Sequence, residues 1–233
     1  MASDFDNYDD INEKPDTSSE LWLHIDKSID LSQLNRFKVL DELRIVGTVS
    51  GVDVSGLHSL DSLTKLQYLS MDFADCTEIP SLKNCTLLRE VSLGKCKISA
   101  AELPEGVREL TLHQCDFDIC SIPELKRLSL LSVIDTVVGQ LPDMSDMTEL
   151  LYVKFTNCRL PSKISRLTTV PNLEELKIVQ KADSEVITLE GELISRRIRS
   201  IILHGSIDVS GFIISGRPGQ LLIADNPVIT AAP

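Results

Sequence analysis

Apolar residues recur along nearly the whole chain in one short frame, apolar-x-x-apolar-x-apolar. The firm copies are Leu40-Leu43-Ile45, Leu66-Leu69-Met71, Leu88-Val91-Leu93, Val107-Leu110-Leu112, Leu125-Leu128-Leu130, Leu150-Val153-Phe155, Leu173-Leu176-Ile178 and Ile198-Ile201-Leu203. Their middle residues stand at 43, 69, 91, 110, 128, 153, 176 and 201, so the spacings are 26, 22, 19, 18, 25, 23 and 25. Weaker copies flank the series, "LWLHI" at 21–25 and "QLLIADNP" at 220–227. The alternation inside each copy predicts a short strand with one face turned to the core. One such strand cannot bury its apolar face alone, and stacking neighbours gives a continuous core. The pattern therefore predicts about ten strand-and-return units, with strands paired in parallel about 4.8 Å apart. Residues 21–233 are expected to form a single domain. Longer returns have room for a helical turn. The short ones, around "SAAELPEGV" and "SIPEL", should cross in extended or 3-10 form.

Three segments extend the frame to L-x-x-L-x-L-x-x-[N/C]-x-L: "LREVSLGKCKI" (88–98), "VRELTLHQCDF" (107–117) and "LLYVKFTNCRL" (150–160). On these the chain resembles the leucine-rich repeat family. In the N-terminal half, "DLSQLNRFKVLDELRI" (30–45) and "EIPSLKNCTLLREVSL" (78–93) resemble the bacterial internalin-like repeat. The resemblance implies an α/β leucine-rich repeat solenoid. Its curved parallel β-sheet would form the concave face, with short helices, 3-10 turns and extended segments on the convex face. It also implies that Cys96, Cys115 and Cys158 point inward and hold the turn after the strand, outside any metal or redox chemistry.

A second motif recurs at "IDLSQL" (29–34), "VDVSGL" (52–57) and "IDVSGF" (207–212). Each follows a strand and precedes a return, where the short oxygens of Asp and Ser can cap free backbone N–H groups. The motif is expected to be structural punctuation.

Composition narrows the function. Hydrophobic residues make up 42% of the chain and aromatics 4%, so the core must be mainly aliphatic. A net charge of −12 argues against nucleic acid as a partner, because phosphates would be repelled. The first twenty residues hold seven acids and one lysine and are expected to form a solvated, mobile tail. They contain no apolar core of a secretory leader, and no stretch approaches the roughly 18 apolar residues of a membrane helix. A cytoplasmic location is expected. The six cysteines form no CxxC pair, and the four histidines form no H-E-x-x-H frame. Neither a G-x-S-x-G elbow nor a phosphate-cradling glycine loop is present. No enzyme activity, cofactor or metal is expected.

The x positions of the frame form the face left free by the core. They carry nine bases against seven acids. Arg89, Arg108 and Lys126 are expected in one column on consecutive strands, with Arg127 beside them and Lys95 and Lys154 near. Tyr68, Phe73 and Tyr152 would add aromatic surface, and Tyr and Arg are enriched at binding hot spots. The ordinary alternative is a solvated face whose ion pairs contribute little. The expected function is binding of another protein, as an inhibitor that sequesters one partner. Its concrete version is an immunity protein against a toxin domain. The alternative is a scaffold or host-directed effector that binds an acidic partner through the basic centre. The C-terminal "IDVSGFIISGRPGQLLIADNPVITAAP" carries no amphipathic capping helix. Its end is expected to be covered by a partner, a second copy or a β cap.

Overall fold

A computed structural model describes residues 9–181, 184–193, 195–214 and 220–224. The chain divides into two compact units, one of Met1–Val107 with His113–Phe117, the other of Arg108–Leu112 with Asp118–Pro233. In the first, β1 (Glu20–Ile25), β2 (Ile29–Asp30), β3 (Glu42–Gly47), β4 (Val54–Ser55), β5 (Tyr68–Glu78) and β6 (Glu90–Ser99) follow one another. β1, β3, β5 and β6 pair in that order, all parallel. The repeat sets the register: Leu21, Leu43, Leu69 and Val91 are successive partners, as are Leu23, Ile45, Met71 and Leu93. All eight are buried. β2 and β4 form a separate parallel pair on the return side.

The second unit repeats the arrangement, beginning with β7 (Glu109–His113), whereas β8 (Asp116–Asp118) lies mostly in the first unit and pairs back on β6 there. Then come β9 (Leu130–Ile134), β10 (Tyr152–Thr156), β11 (Lys163–Ile164), β12 (Glu175–Val179), β13 (Ile187–Leu193), β14 (Ser200–His204), β15 (Ile207–Ile214) and β16 (Gln220–Ala224). β9, β10, β12, β14 and β16 pair in parallel, and β11, β13 and β15 form a second parallel sheet. Leu131, Val153, Leu176 and Ile201 are register partners and are buried. The weak copy at 220–227 contributes β16, with Leu221 opposite Ile201.

One repeat is framed differently from expectation. The strand is Leu130–Ile134, with Leu131 and Val133 in the core, so the frame is Leu128-Leu131-Val133 and not Leu125-Leu128-Leu130. Leu125 ends the preceding 3-10 turn, where its N–H donates to the Ile122 carbonyl. The run Leu125, Leu128, Leu130, Leu131 satisfies both frames locally. Pairing of Leu131 with Val153 selects one.

The returns are 3-10 turns at Leu31–Arg36, Leu57–Ser62, Ala100–Glu102, Ile119–Glu124 and Arg166–Thr169, and no α-helix occurs among the described residues. Segments of six residues or fewer are too short to repay α-helix nucleation, whereas short 3-10 runs are common connectors. The Asp-x-Ser punctuation is used at Asp30, whose carboxylate accepts from the Ser32 N–H (2.9 Å) and hydroxyl (2.8 Å). Asp208 accepts the Ser210 N–H at 2.9 Å, though within β15 and with no 3-10 turn after it. The same bond recurs at Asp118 to Cys120 (3.0 Å) and Asp143 to Ser145 (3.0 Å). Asp53 does not cap. There the 3-10 turn is entered through Gly56 at φ +72°, where a Cβ would come within 2.2 Å of the Ser32 nitrogen.

Residues 9–19 differ from the expected mobile tail. Ile11 is buried, the Asp9 N–H donates to the Trp22 carbonyl (2.7 Å), and the Asp9 carboxylate accepts the Trp22 N–H (2.9 Å). Arg36 donates to the Ile11 and Lys14 carbonyls and pairs with Asp16 at 3.0 Å. The single apolar residue among many acids, Ile11, anchors the segment. The earlier residues, 1–8, lie outside the described part, as does the C-terminal end at 225–233.

Candidate functional site: the outward sheet faces

With Leu, Ile, Val and Met turned inward, the alternate side chains of the long sheets face outward. In the first unit they bring together a group that the charge pattern did not single out. The Arg44 guanidinium lies 4.8 Å from the Trp22 ring centroid and 4.8 Å from that of Tyr68. The Glu42 carboxylate accepts Arg44 Nε–H at 2.7 Å and Trp22 Nε1–H at 3.1 Å. These residues come from β1, β3 and β5, with Trp22 opposite Arg44 and Glu42 opposite Tyr68. The signal was present in the sequence as aromatic and charged x positions of adjacent repeats, but stacking needs the register.

The expected basic cluster is redistributed. Arg89 is turned into the coil: its Nη1 donates to the carbonyls of Leu88 (2.9 Å), Thr86 (3.1 Å) and Gly106 (3.4 Å). A Cβ on Gly106 would meet that nitrogen at 2.2 Å, so the glycine makes the space. Lys95 has φ +49° and donates from Nζ to the Ala74 carbonyl at 2.9 Å. Phe73, expected on the surface, is 4% exposed, because β5 continues its inward alternation through Leu69, Met71 and Phe73. Of the three aromatics expected at the surface, Tyr68 is half-buried in the stack with Arg44.

In the second unit Arg108 is exposed, and its carbonyl accepts the N–H groups of Ser129 (2.7 Å) and Leu130 (3.0 Å). Ser129 is therefore its neighbour in the column. Lys126 and Arg127 fall in the turn before β9, and Lys126 lies 3.9 Å from Asp146 across a highly exposed gap. The slip in frame removes both from the column. On β10, Lys154 lies 3.3 Å from Glu175 and 5.9 Å from the Tyr152 ring centroid. The Tyr152 hydroxyl donates to Glu174 at 3.4 Å, and Arg199 pairs with Glu174 at 3.5 Å.

The cysteines of the turn act as the resemblance implies. Lys95, Gln114, Asp135 and Asn157 adopt positive φ, and each precedes an inward Cys96, Cys115, Thr136 or Cys158. Cys115 Sγ donates to the Leu93 carbonyl (3.1 Å), Cys158 Sγ to Val133 (3.2 Å), and the Thr136 hydroxyl to Ile134 (2.8 Å). Burial pushes the thiols of Cys96, Cys115 and Cys158 upward, and that of Cys85 to about 12. Thiolate chemistry is suppressed there, because the thiolate is the reactive form.

No family model and no curated protein matches the sequence. Among solved structures, an internalin of Listeria monocytogenes is similar with a TM-score of 0.45 at 15% identity. The match covers 81% of this chain and 66% of that one, so the chain spans less than two thirds of that neighbour's length. Among the described residues no helix is long and apolar enough to cross a membrane.

Proposed function

We propose that the chain is a non-enzymatic protein-binding module that sequesters one specific partner through the outward face of its first unit. The observation that carries this reading is the Trp22–Arg44–Tyr68 stack clamped by Glu42. Trp, Tyr and Arg are the hot-spot residue types, and a guanidinium held on both faces loses little further freedom on binding. Charge supports a basic partner. Arg44, Arg89 and Lys95 are engaged within the chain, whereas Glu20, Asp72 and Glu90 face outward with no salt bridge among the described residues. The net charge of −12 would speed encounter with such a partner.

In concrete form this is a bacterial, cytoplasmic immunity protein that occupies a basic toxin domain. Co-expression with a toxin encoded beside it tests the idea. Wild-type chain should restore growth, and Trp22→Ala or the pair Asp72→Lys and Glu90→Lys should lose at least tenfold in affinity. Absence of protection by the wild type removes the immunity version. Full protection by the variants removes the proposed face. The alternative, a scaffold or host-directed effector using Arg89, Arg108, Lys126 and Arg127 together, is weakened because these residues serve different positions. Association of two copies through the C-terminal end remains a proposal that sedimentation of the full chain would test.

A further inference from the structure

The second unit presents a different outward face. Sheets with one solvated side normally alternate apolar inward with polar outward. Here β9, β10, β12 and β14 also place Leu130, Ile134, Tyr152, Val179 and Ile202 outward, all half-buried. Among them Lys154 and Lys177 stand directly in register on neighbouring strands. Like charges opposite one another destabilise a sheet. The local carboxylates balance only one of them. Glu175 lies at 3.3 Å from Lys154, and Glu174 is taken by Arg199 (3.5 Å) and the Tyr152 hydroxyl (3.4 Å). Lys177 has no salt bridge among the described residues, and its partner on the other side is Ile202.

We infer that this face docks an acidic, partly apolar segment of a partner protein. A carboxylate of that segment lies between Lys154 and Lys177, and an apolar side chain rests on Ile202 and Val179. A carboxylate there gives Lys177 the counter-charge that Glu175 gives Lys154, and the apolar contact removes half-exposed aliphatic surface from water. Nucleic acid fits poorly, because it carries no aliphatic side chain to rest on Val179 and Ile202. The inference is separate from the first-unit reading and asks for the opposite partner charge.

Fluorescence anisotropy of the full chain with two labelled short peptides tests it, one alternating Glu and Leu, the other Lys and Leu. The Glu–Leu peptide should bind, and more weakly as salt rises. Lys177→Glu should weaken it at least tenfold, and Ile202→Asp comparably. Both variants should unfold within a few degrees of the wild type, because both side chains face outward. Trp22→Ala should leave this affinity unchanged. No binding to the wild type, equal binding of the Lys–Leu peptide, or undiminished affinity of Lys177→Glu would each overturn the inference.

Discussion

At Gly56 the backbone has φ +72°, and a Cβ would press on the Ser32 nitrogen. Left-handed backbone alone costs a non-glycine residue about 1–2 kcal/mol. Gly56→Ala should therefore lower stability by at least that amount in urea unfolding, and a neutral result would refute the account of this turn. The thiols make a second residue-scale expectation. Cys85, Cys96, Cys115 and Cys158 are buried, and Cys76 and Cys120 are exposed. Titration with a thiol reagent at neutral pH should label two sites quickly in the native protein and six after denaturation. The capping aspartates give the sign of a pH effect. Backbone N–H groups of Ser32 and Ser145 hold the Asp30 and Asp143 carboxyls below the usual carboxylate range. Groups with depressed folded values stabilise above the unfolded pKa, about 3.9, and lose that contribution as pH falls through the folded value. The thermal midpoint should fall below about pH 4. The fall should be shallower in Asp30→Asn with Asp143→Asn, and parallel curves would exclude these turns as a source.

Between elements, the decisive fact is register. Leu130 and Leu131 are adjacent, chemically identical, and occupy opposite faces of β9. A one-residue slip exchanges the faces of a whole strand. Leu131→Ala should cost about 2–5 kcal/mol, as for a buried leucine, and Leu130→Ala under about 1 kcal/mol. Equal costs in denaturant unfolding would restore the frame read from sequence. That frame agrees with the strands at seven of the eight firm copies. It was not legible at 125–131, where four leucines fit two frames and only the partner strand chooses. Phe73 failed for a related reason: β5 keeps alternating past the end of the repeat frame, as no local signal foretells.

For the whole molecule, the segment at 9–19 shows how composition can mislead. Its acids suggested solvation, yet they hold down the chain by pairing with Arg36 and the β1 backbone, with Ile11 as the buried anchor. Ile11→Asp should release it, seen as faster limited proteolysis near residue 14 and a lower unfolding midpoint. Cleavage unchanged from wild type would mean that the segment is not anchored there. The sequence by itself determined the repeating strand, its parallel stacking, the aliphatic core and the inward cysteines, because a periodic apolar frame has few ways to bury itself. Tertiary structure alone decided which cations remain available. Whether Arg44 stacks between two rings, Arg89 turns onto carbonyls or Lys177 faces another lysine depends on register across strands, and net charge does not record that.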